Sequence, residues 1–215
     1  MCVPDGEIGA AAALIAPGPM VGHCSGATGL DVLTPHEAFS LHPLMTVTAG
    51  GGRLAGAGAG FAGAGAAIAG NTPQALGFAA GLARGLKMRA VEISDPDRAA
   101  YHAAASIASN FLITLEAAAE RLMASAGADR DLLVPLVRAT VENWATLGPE
   151  RALTGPVARG DELTVATQRS AIAQRAEELL PLFDVLVEAT RALADGRVSD
   201  VPSPIGGAAP RPAFA

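Results

Sequence analysis

The sequence predicts an α/β region followed by an all-α region, on three observations. First, residues 1–94 are rich in Gly, Ala and Pro and carry short apolar runs: PMVGHC (Pro19 to Cys24), AFSLHP (Ala38 to Pro43), GAAIAG (Gly65 to Gly70) and MRAVEI (Met88 to Ile93). Each run is bounded by turn residues and followed by a helix-like or loop segment, the alternation expected of a parallel sheet with intervening helices. Second, from residue 96 to residue 194 glycine becomes rare and apolar residues recur at helical spacing. Third, half of the 215 residues are hydrophobic but only 4% are aromatic. The core must therefore be Ala, Leu, Val and Ile, which suits closely packed helices and Gly/Ala-rich βα units. The expected divisions are 1–95, 96–196 and a Pro/Gly-rich tail, 197–215, expected to be disordered.

Within the first region, TPQALGFAAGLARGL (Thr72 to Leu86) is a helix, capped by Asn71 or Thr72 and with Pro73 in its first turn. In the second region, Asp97 to Gly127 reads as one long helix with Gly127 just past its end. Asp129 to Gly148 is a second helix with Pro135 near its start. Asp161 to Gly196 carries one or two more, broken near Pro181.

Charge and composition exclude several classes of function. The net charge is −6 and no Lys/Arg run or stripe occurs, so nucleic acid is not the expected partner. Every long apolar stretch is interrupted by Gly, Pro or charge before the ~20 residues that a membrane span needs. Met1 leads directly into CVPDGE, without a basic or apolar leader. Cys2 and Cys24 are too few for a disulfide framework. A cytoplasmic protein acting on a small molecule is expected, with no membrane partner.

Gly58, Gly60 and Gly63 match G-x-G-x-x-G, a dinucleotide-binding fingerprint. That fingerprint requires a strand before the first glycine and a helix at the third. Here TVTAGGGRLAGA precedes Gly58 and reads as a loop, while AGAAIAGNTP follows Gly63 and reads as a strand leading to a helix cap. The order is inverted, so this match is not expected to be a pyrophosphate site.

Polar groups gather at predicted strand ends instead. HCSGATG (His23 to Gly29) follows the run PMV, with His23, Ser25 and Thr28 as polar groups and Gly26 allowing close backbone approach. His42 ends the next strand, as a site residue or as a structural histidine. In the long helix, His102, Ser106 and Ser109 fall at spacings of four and three, and Asn110 is four from Ser106. Such spacing places them on one face, as a catalytic stripe or as a packing stripe. An imidazole with a pKa near ~6.5 suits acid–base work. The loop LTGPVARGD (Leu153 to Asp161) offers Thr154, Arg159 as a bidentate anion ligand, and Asp161 as a helix cap. Tyr101 and Trp144 are the large polar-tipped aromatics, Trp144 placed in a core or dimer interface. The spacing of Cys2, Cys24, His23, His36 and His42 matches no zinc pattern, so no metal is expected.

Three segments carry a resemblance: PDGEI…GHCSGATGLDVL…SLHPLMT (Pro4 to Thr46), DRAAYHAAASIASNFLITL (Asp97 to Leu115) and ALTGPVARGDELTV (Ala152 to Val165). Together they resemble oxidoreductase-like proteins that join a Rossmann-type NAD(P)-binding half to a helical domain of unknown function. That family is similar to ketopantoate reductase, pyrroline-carboxylate reductase and deazaflavin-dependent NADP oxidoreductase, in the 6-phosphogluconate-dehydrogenase-like group.

The resemblance implies a partial Rossmann-like sheet followed by a 6-phosphogluconate-dehydrogenase-like helical domain, NADP or NAD as cofactor, and a homodimer through the helical domain. It places Val3 and Pro4 near the nicotinamide ribose, with His23, Ser25 and Gly26 also facing the cofactor; Asp5 could equally be an ordinary helix cap. It matches Asn110 to a substrate-facing asparagine and sets Ser106 where relatives carry lysine. His102 then replaces that lysine as acid or base, and His42, Thr154 and Arg159 face the substrate. The relatives begin with a strand–GxGxxG–helix unit that is expected to be missing here, so tight dinucleotide binding by this chain alone is not expected. Two functions follow: reduction of a small carbonyl, imine or hydroxy compound, or a non-catalytic, dimerising small-molecule-binding module.

Overall fold

A computed structural model of the chain describes residues 1–47 and 60–196. They divide into two compact units, the first ending at Ile113 and the second beginning at Thr114.

The first unit holds a four-stranded sheet in the order β1-β2-β3-β4: β1 (Val21–His23), β2 (Ala38–Leu44), β3 (Gly65–Gly70) and β4 (Arg89–Glu92). The apolar runs of the sequence thus become the strands. The sheet is mixed, however, and not parallel. β1 and β2 run parallel with His23 opposite Ser40, β2 and β3 run antiparallel with His42 opposite Ala67, and β3 and β4 run parallel. Leu44 and Gly65 are register partners, so the chain leaves β2 and enters β3 at the same end of the sheet.

Strand alternation divides the side chains between two faces. On one face, Val21, Ala38 and Ala69 pack with Ile8 and Ala12 of α1 (Ile8–Ala13) and with Leu30 and Leu33. On the other, Leu41, Ala66 and Ile68 pack with Ala79 and Ala83 of α2 (Pro73–Gly85). Ala75, Ala79 and Ala83 are each wholly buried, a spine at helical spacing that lets α2 lie close to the sheet. Phe39 and Phe78 meet edge to face at 5.0 Å. Gly70 permits the tight step from β3 into α2, because a Cβ there would lie 2.1 Å from Leu76 N. Thr72 caps α2 by accepting from Ala75 N at 3.0 Å.

The predicted long helix is interrupted. α3 (Arg98–Ser106) passes into a π-helical turn, Ile107–Phe111, before α4 (Leu112–Ser125). A π turn closes i→i+5 bonds and takes up an extra residue. It therefore breaks the α-helical spacing on which the stripe His102–Ser106–Ser109–Asn110 was drawn. His102 and Ser106 share a face of α3; Ser109 and Asn110 lie in the π turn. Gly127 follows α4 with φ of 81°.

The second unit continues with α5 (Leu133–Leu147), α6 (Pro149–Ala152), α7 (Glu162–Arg175) and α8 (Leu180–Ala194). Asp161 caps α7 through Thr164 N, as its position in the sequence predicts. The break expected near Pro181 falls at Ala176, and Pro181 takes the first turn of α8. Arg169–Asp184 and Arg121–Glu178 pairs link these helices, and Arg130 pairs with Glu120. No described helix is long and apolar enough to cross a membrane.

Gly60 and Gly63 of the G-x-G-x-x-G match lie in the turn that leads into β3, with Gly63 N bonded to Lys87 O. A strand, not a helix, follows the third glycine, as the reading of the motif expects. Gly58, the loop before it and the 197–215 tail lie outside the described residues.

Candidate functional site

The polar residues of the first unit converge on one face of the sheet. On β2, Ser40 and His42 are two apart and so project to the same side. On α3, Arg98, Tyr101 and His102 stand at i, i+3 and i+4 and so share a helix face. The two sets meet. Arg98 Nη2 donates to Ser40 Oγ at 2.5 Å, and Tyr101 Oη lies 2.8 Å from His42 Nδ1. The His42 ring stands edge-on to Tyr101 at 5.6 Å and to His102 at 6.0 Å.

The loop after β1 covers this group. A Cβ at Gly26 would fall 2.8 Å from His102 Cδ2 and 2.9 Å from His42 Cε1. Only a glycine lets the backbone lie against both imidazoles. His23, 1% exposed, organises the loop from beneath. Its Nδ1 accepts from Ser25 N at 3.2 Å, which leaves the proton on Nε2 for Gly29 O, also 3.2 Å away. Ser25 Oγ donates to Asp5 Oδ2 at 2.7 Å and accepts from Ala27 N and Thr28 N. Asp5 is thus tied to the loop by its carboxylate. Val3 and Pro4 are exposed, and Pro4 O accepts from Glu7 N.

Electrostatics follow from burial and from one cation. Arg98 is 2% exposed and donates through Nε to Asp95 Oδ1 at 2.7 Å. Burial lowers the pKa of His42, and the neighbouring His102 and Arg98 lower it further, against Asp5. Burial also lowers that of His23, with Gly29 O opposing and Arg98 assisting. Burial raises the Tyr101 phenol, against the pull of Arg98. The result is a set of neutral donors and acceptors around a buried guanidinium.

The structure therefore brings together His23, Ser25, Gly26, His42 and His102 of the residues singled out in the sequence. Ser106 is half-buried at the end of α3, and Asn110 is exposed in the π turn. Thr154 and Arg159 are exposed in the loop before α7, in the second unit. Arg98 and Tyr101 were not among the expected site residues. The same spacing argument that selects His102 selects both. Residue type alone marks neither, since an arginine at a helix start reads as surface and a lone tyrosine as packing.

A separate cleft of about 390 Å³ lies at the carboxyl ends of β3 and β4, with Asp31, Asn71, Glu92 and Asp95 among its walls. Among the described residues no group of three or more His, Cys, Asp or Glu could hold a metal. Cys2 and Cys24 are free and exposed.

A family model described as a domain of unknown function, DUF2520, matches residues 65–190. No curated protein matches the chain. Among solved structures, a Bacteroides fragilis protein, BF3122, described as a candidate NADP oxidoreductase, superposes with a TM-score of 0.70 at 21% identity. That match covers 80% of this chain and 64% of the other. Protein TM1727 from Thermotoga maritima superposes with a TM-score of 0.75 at 24% identity, over 90% of this chain and 77% of the other. These likenesses show a shared fold, a Rossmann-like sheet followed by a helical region.

Proposed function

The chain belongs to the DUF2520 family, and from that premise we propose that it is an NAD(P)-dependent oxidoreductase acting on a small carbonyl, imine or hydroxy compound. One observation carries the reading: residues from β1's loop, from β2 and from α3 assemble a His42–His102–Tyr101 group beneath Gly26. The likeness to the Bacteroides fragilis protein, a candidate NADP oxidoreductase, supports it. In open α/β sheets ligands bind outside the carboxyl ends of strands, where the β1 loop lies.

His102 is the acid or base that exchanges a proton with the substrate. Ser106, Asn110 and His42 orient the substrate. Val3 and Pro4 would lie near the nicotinamide ribose, Ser25 and Gly26 would bind the cofactor, and His23 fixes the loop that carries the latter two. When bound, NADPH or NADH would supply the hydride. Only weak binding is expected of this chain, so isothermal calorimetry with NADPH and with NADH carried to millimolar ligand tests the reading; heat from neither overturns it.

A second reading is a non-catalytic module that binds a small molecule as a homodimer. Exposed apolar side chains on α5 favour a second copy as partner: Leu136 is 62% and Trp144 58% exposed. Patches of this kind mark association surfaces. Sedimentation velocity across a dilution series tests it, and a monomer at every concentration overturns it.

A further inference from the structure

Tyr101 is the one residue of the cluster that the functional reading leaves without a role, yet it makes the cluster's one direct hydrogen bond to His42. We propose that Tyr101 is a positioning residue: its hydroxyl donates to His42 Nδ1 and holds His42 as a neutral Nε2–H donor aimed at the substrate's carbonyl or alcohol oxygen. The proposal rests on the reductase reading above and narrows it, since a fixed N–H donor meets an acceptor atom.

The geometry comes first. Tyr101 Oη and His42 Nδ1 are 2.8 Å apart, a full hydrogen bond. A histidine's tautomer is set by the bond its other nitrogen makes. The phenol has a single proton and Nδ1 a single in-plane site, so only one of them donates. Burial keeps the phenol protonated, and a phenol is the better donor while a neutral imidazole nitrogen is the better acceptor. Nδ1 then accepts, and the ring proton must sit on Nε2. Nε2 makes no hydrogen bond among the described residues. The described side-chain nitrogen that is sealed from solvent without a partner is His36 Nδ1, not this one. His42 Nε2 is thus unpartnered among the described residues and not sealed from solvent.

The ring must also stay neutral. The charged or titratable groups that act on it are Arg98 and His102 of α3, which disfavour the imidazolium, and Asp5 beyond the β1 loop, which favours it. Burial is the largest influence and sides with the first two. A Cβ at Gly26 would fall 2.9 Å from Cε1 and 3.0 Å from Nδ1, so the loop backs onto that edge of the ring.

The chemical consequence is selectivity. Hydride addition from a reduced nicotinamide moves the C=O electron pair onto oxygen, where His42 Nε2–H meets it, and His102 supplies the proton that completes the alcohol. A protonated imine presents its own N–H to the same place, donor against donor. The oxygen compound is the substrate class this arrangement accepts.

Long-range ¹H–¹⁵N spectra of the uniformly labelled full chain read the tautomer directly. The expected result is His42 at neutral pH with a protonated Nε2 and an accepting Nδ1, and in Tyr101→Phe a shift of both nitrogens toward the averaged values of a mixed-tautomer ring. A protonated Nδ1 or an imidazolium in the unmodified chain overturns the proposal, whether or not the variant folds. So does an unchanged His42 spectrum in a folded Tyr101→Phe. With NADP⁺ present, pyruvate is expected to move the Nε2–H signal and 1-pyrroline is not. Movement by pyrroline, or by neither, overturns the substrate class. Failure to bind NADPH in the same sample would instead count against the reductase reading, while the tautomer result would stand.

Discussion

Arg98, almost sealed from solvent, reaches across from α3 to place Nη2 2.5 Å from Ser40 Oγ on β2. Through this bond a positive charge sits beneath the three-ring cluster. Its other described partner is Asp95, whose side chain is half exposed, so the ion pair is stiffened on one side only.

Arg98→Met should act on charge and stability separately. Without the cation, His42 and His23 lose an influence that holds their pKa values down, so both should titrate at higher pH than in the unmodified chain. NMR titration of the ring protons measures this. The lost charge-assisted bond to Ser40 should cost about 1–3 kcal/mol in urea unfolding.

Stability should depend on pH in a defined direction. His23 and His42 have folded-state pKa values below 6.5, so the unfolded chain takes up protons first as pH falls. Their contribution is complete above pH 6.5 and is lost as pH falls from there through the lowered folded values. Urea midpoints measured downward from pH 7.5 should fall through this window. The slope should be smaller in His23→Gln, whose amide does not titrate.

Two glycines should differ in their intolerance of alanine. At Gly26 the new methyl meets the edges of two side chains, His102 and His42, which can rotate aside. The cost should be about 1–3 kcal/mol, and both ring signals should move. At Gly70 it meets the backbone of Leu76 and Ala75 at 2.1–2.7 Å, which no rotamer relieves. Gly70→Ala should therefore have the lower melting temperature of the two. Equal losses would contradict the close approach of α2 to β3.

Thr72→Ala removes the oxygen that accepts from Ala75 N. The cost should be about 1 kcal/mol, as for other helix caps, and amide exchange should quicken in the first turn of α2.

Much of this fold was legible in the sequence because strand and helix periods are local properties. GAAIAG, AFSLHP and the Thr72-capped helix each appear where their patterns place them. The antiparallel turn between β2 and β3 was not legible, because strand direction depends on where the connection returns. Nor was the π turn at Ile107–Phe111, since one extra residue in a turn leaves no mark on an Ala-rich helix. His42, His102 and Gly26 could be singled out by residue type. That they touch could not, because the contact depends on the register of β2 against α3.

The central claim is that the faces of β1's loop, β2 and α3 form a nicotinamide site. An NADPH titration followed through the histidine ring signals tests it most directly. The account predicts that His23, His42 and His102 shift together and saturate, while His36, buried and bonded to Ala12 O, stays in place. Three unmoved signals at every NADPH concentration the sample tolerates would contradict it.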